Sequence, residues 1–158
     1  MVGLHESLAR WYYRGGHPNA VARVLNRASA TLHGAGVGPQ RWARLEVRGR
    51  TTGRTISFPL VVADLDGERY LVSMLGEDVN WVHNVRAAEG RAVLCHGRRE
   101  IVRLADVPEA RRAPILQRHL EVAPGARPHI PVDRRAPLAE FERIAARFPV
   151  FRIVPDAA

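Results

Sequence analysis

The chain has 158 residues, 46% of them apolar and 25% charged, which is the size and composition of one globular domain with a real core and excludes a disordered or fibrous class. The formal charge is +8, every one of the 24 basic residues is arginine, and residues 1–54 hold nine arginines against two glutamates, so +7 of the excess lies in the first third. A single cysteine, Cys95, excludes an internal disulfide and a cysteine-built metal site, and no apolar run approaches the ~20 residues of a membrane span. Met1 is not followed by the basic start and apolar stretch of a secretory signal, so the chain is expected in the cytoplasm.

Residues 4–14 read as a short helix with Leu4, Leu8 and Trp11 on one face and Tyr12 and Tyr13 beside Arg10 and Arg14. Gly15, Gly16 and Pro18 end it. A second helix starts at Pro18 or Asn19 and carries the stripe Val21, Val24, Leu25, Ala28 and Leu32, closed by Gly34, Gly36 and Gly38. Residues 1–38 are therefore expected to be helices packed on a domain formed by 39–158. The alternative is that this basic amphipathic segment touches an anionic membrane surface or an apolar substrate.

From Trp42 the apolar period becomes two. Leu45 and Val47 alternate with Arg44, Glu46 and Arg48, then Phe58, Leu60 and Val62 form a second run. Asp66–Gly67 is a hairpin signal, followed by Tyr70, Val72 and Met74. A helix is expected over 80–89, with Trp81, Val85 and Ala88 on one face and Gly90 ending it; strands at 91–96 and 99–105 are joined by a turn at Gly97–Arg98. Beyond Pro108 the pattern is helical to about Glu121, with Pro114 kinking or restarting it. The four prolines of 123–137 predict a loop or lid, residues 137–148 a helix burying Leu138, Phe141, Ala145 and Phe148, and Val150–Val154 a last strand. Antiparallel strands with peripheral helices indicate an α+β small barrel.

Between the first two strand runs, RGRTTGR at 48–54 places Gly49 and Gly53 four apart among arginines and threonines. Such a turn concentrates backbone N–H, hydroxyl and guanidinium donors and suits an anion. Ser73 and Gly76 form a second turn leading into Trp81 and Asn84, so the pair suggests a flat, anionic, ring-bearing ligand.

Other chemistries lack their residues. The seven histidines (5, 17, 33, 83, 96, 119, 129) show no i, i+4 pair and no neighbouring carboxylate cluster, so no metal site is expected. There is no G-x-S-x-G, and Cys95 sits in a strand as a small apolar residue. The glycines at 34, 36 and 38 follow a helix, and GRTTGR lacks the lysine of a P-loop. The net charge is the only sign of nucleic-acid binding, since a recognition helix and an aromatic-basic sheet are both missing. An enzyme without an acid/base pair, nucleophile or metal remains feasible where a cofactor carries the reaction, as in hydride transfer.

Gly49, Arg50, Thr52, Gly53, Pro59 and Leu60 match G-R-x-[ST]-G-x-x-x-x-x-P-[LV], and Ser73, Gly76, Trp81, Asn84, Val85 and Ala87 match S-x-x-G…W-x-x-N-[LV]-x-A. In these motifs, with RYLV at 69–72 and FPVF at 148–151, the chain resembles the deazaflavin-dependent nitroreductases and quinone reductases of actinobacteria over about 42–154. The resemblance implies a split β-barrel, FMN-binding-like, and coenzyme F-420 as hydride donor. It also implies that Arg50, Thr51, Thr52, Gly53 and Arg54 hold the phosphate and oligoglutamate tail. Pro59 falls within the same motif; Ser73, Met74, Leu75 and Gly76 would line the ring edge, with Trp81 and Asn84 fixing that wall. Thr51, Ile56 and Met74 stand where better-known relatives have basic residues, and Arg48, Arg50 and Arg54 are expected to compensate.

The reading is an oxidoreductase transferring a hydride from reduced F-420 to a quinone, nitroaromatic or conjugated enone. The acceptor would lie in a cleft closed by Trp11, Tyr12 and Tyr13 and by His129 and Ile130 of the 123–137 loop. The alternatives are an FMN- or FAD-binding reductase, or a non-catalytic cofactor- or lipid-binding protein on the same barrel. The molecule would be a monomer or homodimer.

Overall fold

The computed structural model describes residues 41–156, together with the single position Ala28. Apart from Ala28, the two expected N-terminal helices, with Trp11, Tyr12 and Tyr13, lie outside the described residues, as does the membrane-contact expectation built on them.

Among the described residues there are seven strands: β1 Trp42–Arg48, β2 Thr55–Val61, β3 Ala63–Leu65, β4 Glu68–Val72, β5 Arg91–His96, β6 Arg98–Asp106 and β7 Val150–Pro155. Three helices join them: α1 Asn80–Ala87, α2 Ala113–Val122 and α3 Leu138–Ile144. All strand pairings are antiparallel, in the order β2-β1-β5-β6-β7-β4-β3. The two ends of that order are neighbours in the chain. β2 and β3 are one strand bent at Val62, whose N–H still donates to the Arg41 carbonyl at 2.7 Å. Its first part pairs with β1 and its second with β4, so the sheet curls back on itself into the expected split barrel.

The curl is incomplete. The β3–β4 ladder ends at Ala63–Tyr70, so among the described residues β2 pairs with β1 alone and is an edge. Pro59 sits on that edge, where its missing N–H costs no ladder bond.

Burial follows the period of two. In β1, Ala43, Leu45 and Val47 face inward and are at most 2% exposed, while Arg44 and Glu46 face outward and pair with one another. β4 and β7 are instead buried on both faces. Leu71, Phe151 and Ile153 enter the barrel core, to which α1 contributes Val82 and Val85. Tyr70, Val72 and Val150 enter a second core with Leu116 and Leu120 of α2 and Phe141 of α3. Two-sided burial explains why 70–72 are continuously apolar.

Several boundaries differ from expectation, three of them with a clear local cause. β6 begins at Arg98 rather than 99, because Gly97 alone, at φ +70°, makes the connection and lets His96 pair with Arg98. The helical stretch after Pro108 splits into a 3-10 turn, Glu109–Arg111, and α2, with Pro114 in the first turn of α2 where no N–H partner is lost. The last helix stops at Ile144 and tightens into a 3-10 turn, Ala145–Arg147. There the Arg112 guanidinium takes the carbonyls of Ala145 and Phe148 at 3.2 and 3.5 Å, capping the end and letting Phe148 turn into the core.

Candidate functional site at one end of the barrel

The β1–β2 connection is closed by its own backbone. The Gly49 N–H donates to the Arg54 carbonyl at 2.8 Å and the Gly53 N–H to the Gly49 carbonyl at 2.9 Å. Gly53 adopts φ +68°, a conformation that other residues adopt only with strain. A Cβ there would stand 3.4 Å from Nη2 of Arg48, so the Arg48 guanidinium lies along the turn. The Thr52 hydroxyl accepts the Arg54 N–H at 3.3 Å, and Arg50, Thr51, Thr52, Gly53 and Arg54 are all exposed.

The arginines of this turn divide into two kinds. Arg50 is tied down: its N–H and Nη1 both donate to Oδ1 of Asn84, at 3.1 and 2.9 Å, and its Nη2 donates to Oδ1 of Asn80 at 3.3 Å. Asn84 is 2% exposed, so its carbonyl oxygen is committed to holding the turn against α1. The guanidiniums of Arg48 and Arg54 have no ion-pair partner among the described residues.

The second piece follows β4. Ser73 is buried; its N–H donates to the Pro149 carbonyl at 2.9 Å and its hydroxyl to the Gly76 carbonyl at 2.6 Å. The Gly76 N–H returns to the Ser73 carbonyl at 3.1 Å, with φ +93° at Gly76. Within this loop Met74 packs toward the second core and Leu75 toward the barrel core, both half-buried.

Trp81, at the start of α1, closes the gap between the pieces. Its ring lies 5.6 Å from Phe58 on β2 and 5.5 Å from Phe151 on β7, both tilted, and it is half-buried. Arg86 lies 5.9 Å over Phe151 and pairs with Glu77 and Asp106, hydrogen bonds that raise its pKa above the ordinary arginine value. The loop before α1 is thereby fastened to the helix.

The structure therefore brings together the turn 49–54, Pro59 on the neighbouring edge, the loop 73–76, Trp81 and Asn84. It does not bring Ile130 to a cleft: that side chain is 2% exposed in the second core. It is a core residue, since the tertiary packing of α2 and α3 closes over the proline-rich loop. His129 beside it is half-buried. Two residues escaped the sequence reading. Asn80 shares a helix face with Asn84 by its i, i+4 spacing, which was the available signal. His119 of α2 is 4% exposed and burial pushes its pKa down to about 4. Among the described residues no three His, Cys, Asp or Glu side chains converge as a metal site, and no helix is long and apolar enough to cross a membrane.

Residues 21–139 match the family model described as F-420H(2)-dependent quinone reductase. No curated protein matches the chain. Among solved structures, an F-420-H2 dependent reductase aligns with TM-score 0.50 and 18% identity over 72% of this chain and 94% of its own. A protein solved as a domain-swapped dimer aligns with TM-score 0.50 and 18% identity, over 84% and 92% of the two chains. A protein of unknown function from Agrobacterium tumefaciens aligns with TM-score 0.56 and 14% identity, over 90% of this chain and 56% of its own. At these identities the likeness is one of fold.

Proposed function

Since the chain belongs to the F-420H(2)-dependent quinone reductase family, we propose that it is an oxidoreductase using reduced coenzyme F-420 to reduce a quinone, nitroaromatic or conjugated enone. The observation that carries this reading is the pair of guanidiniums, Arg48 and Arg54, without a carboxylate partner among the described residues, on a turn that Arg50 clamps to α1.

The donor set fits the cofactor. A phosphodiester and an oligoglutamate tail are anions, and two exposed arginines on a preorganised turn offer them charge-assisted, forked hydrogen bonds. Thr51 adds a hydroxyl at the same surface. Gly53 keeps the backbone approachable, and the half-buried Met74, Leu75 and Trp81 offer apolar surface for a ring. When bound, the deazaflavin supplies the hydride. The chain's own contribution is to grip the tail, to present the ring beside Trp81 and the 73–76 loop, and to keep water from that surface.

Asn84 and Arg50 act in this scheme as positioning residues. Neither has to touch the cofactor for the site to depend on them, because they set where Arg48 and Arg54 stand. A homodimer is proposed as the assembly, supported by the domain-swapped neighbour, and light scattering on the purified chain reads it.

The deciding experiment is a parallel fluorescence titration with F-420, FMN and FAD. Micromolar or tighter binding of F-420 with weak flavin binding is the expected result. Preference for either flavin, or no binding of the three, sinks the proposal.

A further inference from the structure

A cavity of about 590 Å³ opens at the other end of the barrel, lined by Arg41, Ala43, Val62, Asp64, Arg69, Leu94, His96, Arg98 and Glu100. These residues come from the start of β1, the β2–β3 bend, the start of β4 and the β5–β6 connection. The turn 49–54 lies at the opposite end of β1, whose seven residues at ~3.4 Å each separate the two places by roughly 20 Å. A hydride acceptor placed here is out of reach of a ring held at the first site.

The lining has two parts. Ala43, Val62 and Leu94 are buried barrel residues and make an apolar floor. The rim is charged but unevenly compensated. Glu100 is taken by Arg69 through a forked pair of hydrogen bonds at 2.6 and 3.0 Å. Asp64 is shared between Arg41 at 3.4 Å and Arg118 at 3.1 Å. His96 is fixed by its Nδ1, which donates to the Trp42 carbonyl at 2.6 Å. Arg98 makes no ion pair with any described residue and only feels Glu100 at longer range. Three guanidiniums on the lining therefore face two carboxylates, one of which is also held by a fourth arginine.

We propose that this cavity is a second ligand site, for a small carboxylate with an apolar body that rests on Val62 and Leu94 while its head pairs with Arg98. The volume is that of an ordinary small-molecule site. A buried apolar floor beside a cation that makes no ion pair among the described residues selects an anion over a neutral molecule of the same shape. The proposal does not depend on the identity of the cofactor.

Naphthoate and its neutral analogue naphthalenemethanol are suitable probes, used on the full chain with calorimetry and backbone-amide NMR. Naphthoate is expected to bind saturably, shifting amides at 41–43, 62–64 and 94–100, and saturating F-420 should leave its affinity unchanged. Arg98→Gln, an exposed position beside the β5–β6 turn, should weaken naphthoate by about tenfold or more, the loss of one charge-assisted hydrogen bond, and leave the alcohol unaffected. Arg54→Gln, at the far end, should leave naphthoate binding intact. Amide shifts confined to 48–54 or 73–84, equal affinity in Arg98→Gln with a native spectrum, or no saturable binding would each overturn the proposal.

Discussion

The carbonyl oxygen of Asn84 accepts two hydrogen bonds from one residue, the N–H and the guanidinium of Arg50, across 34 positions of sequence. The contact joins the β1–β2 turn to α1 and is half-buried, with Asn84 2% exposed and Arg50 on the surface. Replacing Asn84 by alanine leaves an N–H and a cation without their acceptor. The expected loss is about 1–3 kcal/mol of stability, read by denaturant or thermal unfolding. Because the turn is also released, F-420 affinity should fall alongside stability. A variant that retains wild-type stability and affinity would show that the contact does not organise the turn.

Arg48 and Arg54 predict a different signature. If they grip the tail, Arg54→Gln should weaken intact F-420 by about tenfold or more while leaving a tail-less deazaflavin riboside unchanged, since only the anion contact is lost. The affinity of the wild type for intact F-420 should also decline with added salt, and less steeply in the variant. Equal losses for both ligands would place Arg54 at the ring instead.

The parts of this molecule that were legible in its sequence are those whose causes are local. Gly53 marks the turn because its backbone is left-handed and Gly49 because Ile56 and the Arg54 carbonyl crowd its Cβ position, and the alternation of Leu45 and Val47 marks β1 because one face is buried. The bend at Val62 was not legible, because PLVVADL stays apolar through it and a run without alternation does not say where the partner strand changes. The role of Asn84 was likewise hidden. An amide beside a tryptophan reads as a ligand contact until its partner, far off in the chain, is seen to occupy it. Ile130, flanked by Pro128 and Pro131, reads as lid; its burial comes from helices that local pattern does not connect to it.

Gly90 offers a sharper test of the fold. It ends α1 at φ +80°, and a Cβ built on it would stand 2.5 Å from the Leu104 carbonyl oxygen, which is backbone of a central strand and cannot step aside. The same two residues are linked by the Leu104 N–H donating to the Gly90 carbonyl at 2.8 Å, so separating them breaks the contact. Gly90→Ala is expected to lose about 3 kcal/mol or more, from the left-handed backbone and the clash together. At Gly67, also at positive φ but with open space around it, the same change should cost only about 1 kcal/mol. Unfolding midpoints of the two variants compared side by side check the ranking.

His119 makes the stability of the protein depend on acid. Its imidazole is buried in α2, Nδ1 has no hydrogen-bond partner among the described residues, and burial lowers its pKa from 6.5 to about 4. In the unfolded chain the ring takes up a proton near its ordinary pKa; in the native one it stays neutral. Between those two values the unfolded state therefore binds more protons, and stability falls as the pH is lowered. The contribution is complete above about pH 6.5, declines through the interval and levels off below about pH 4, amounting to about 3 kcal/mol in all. His119→Leu, of similar bulk and without a titrating group, should flatten that interval of the profile while leaving the carboxylate-driven losses below it. Urea unfolding of both proteins at several pH values reads the difference directly. A parallel decline in the two would show that other groups carry the acid sensitivity.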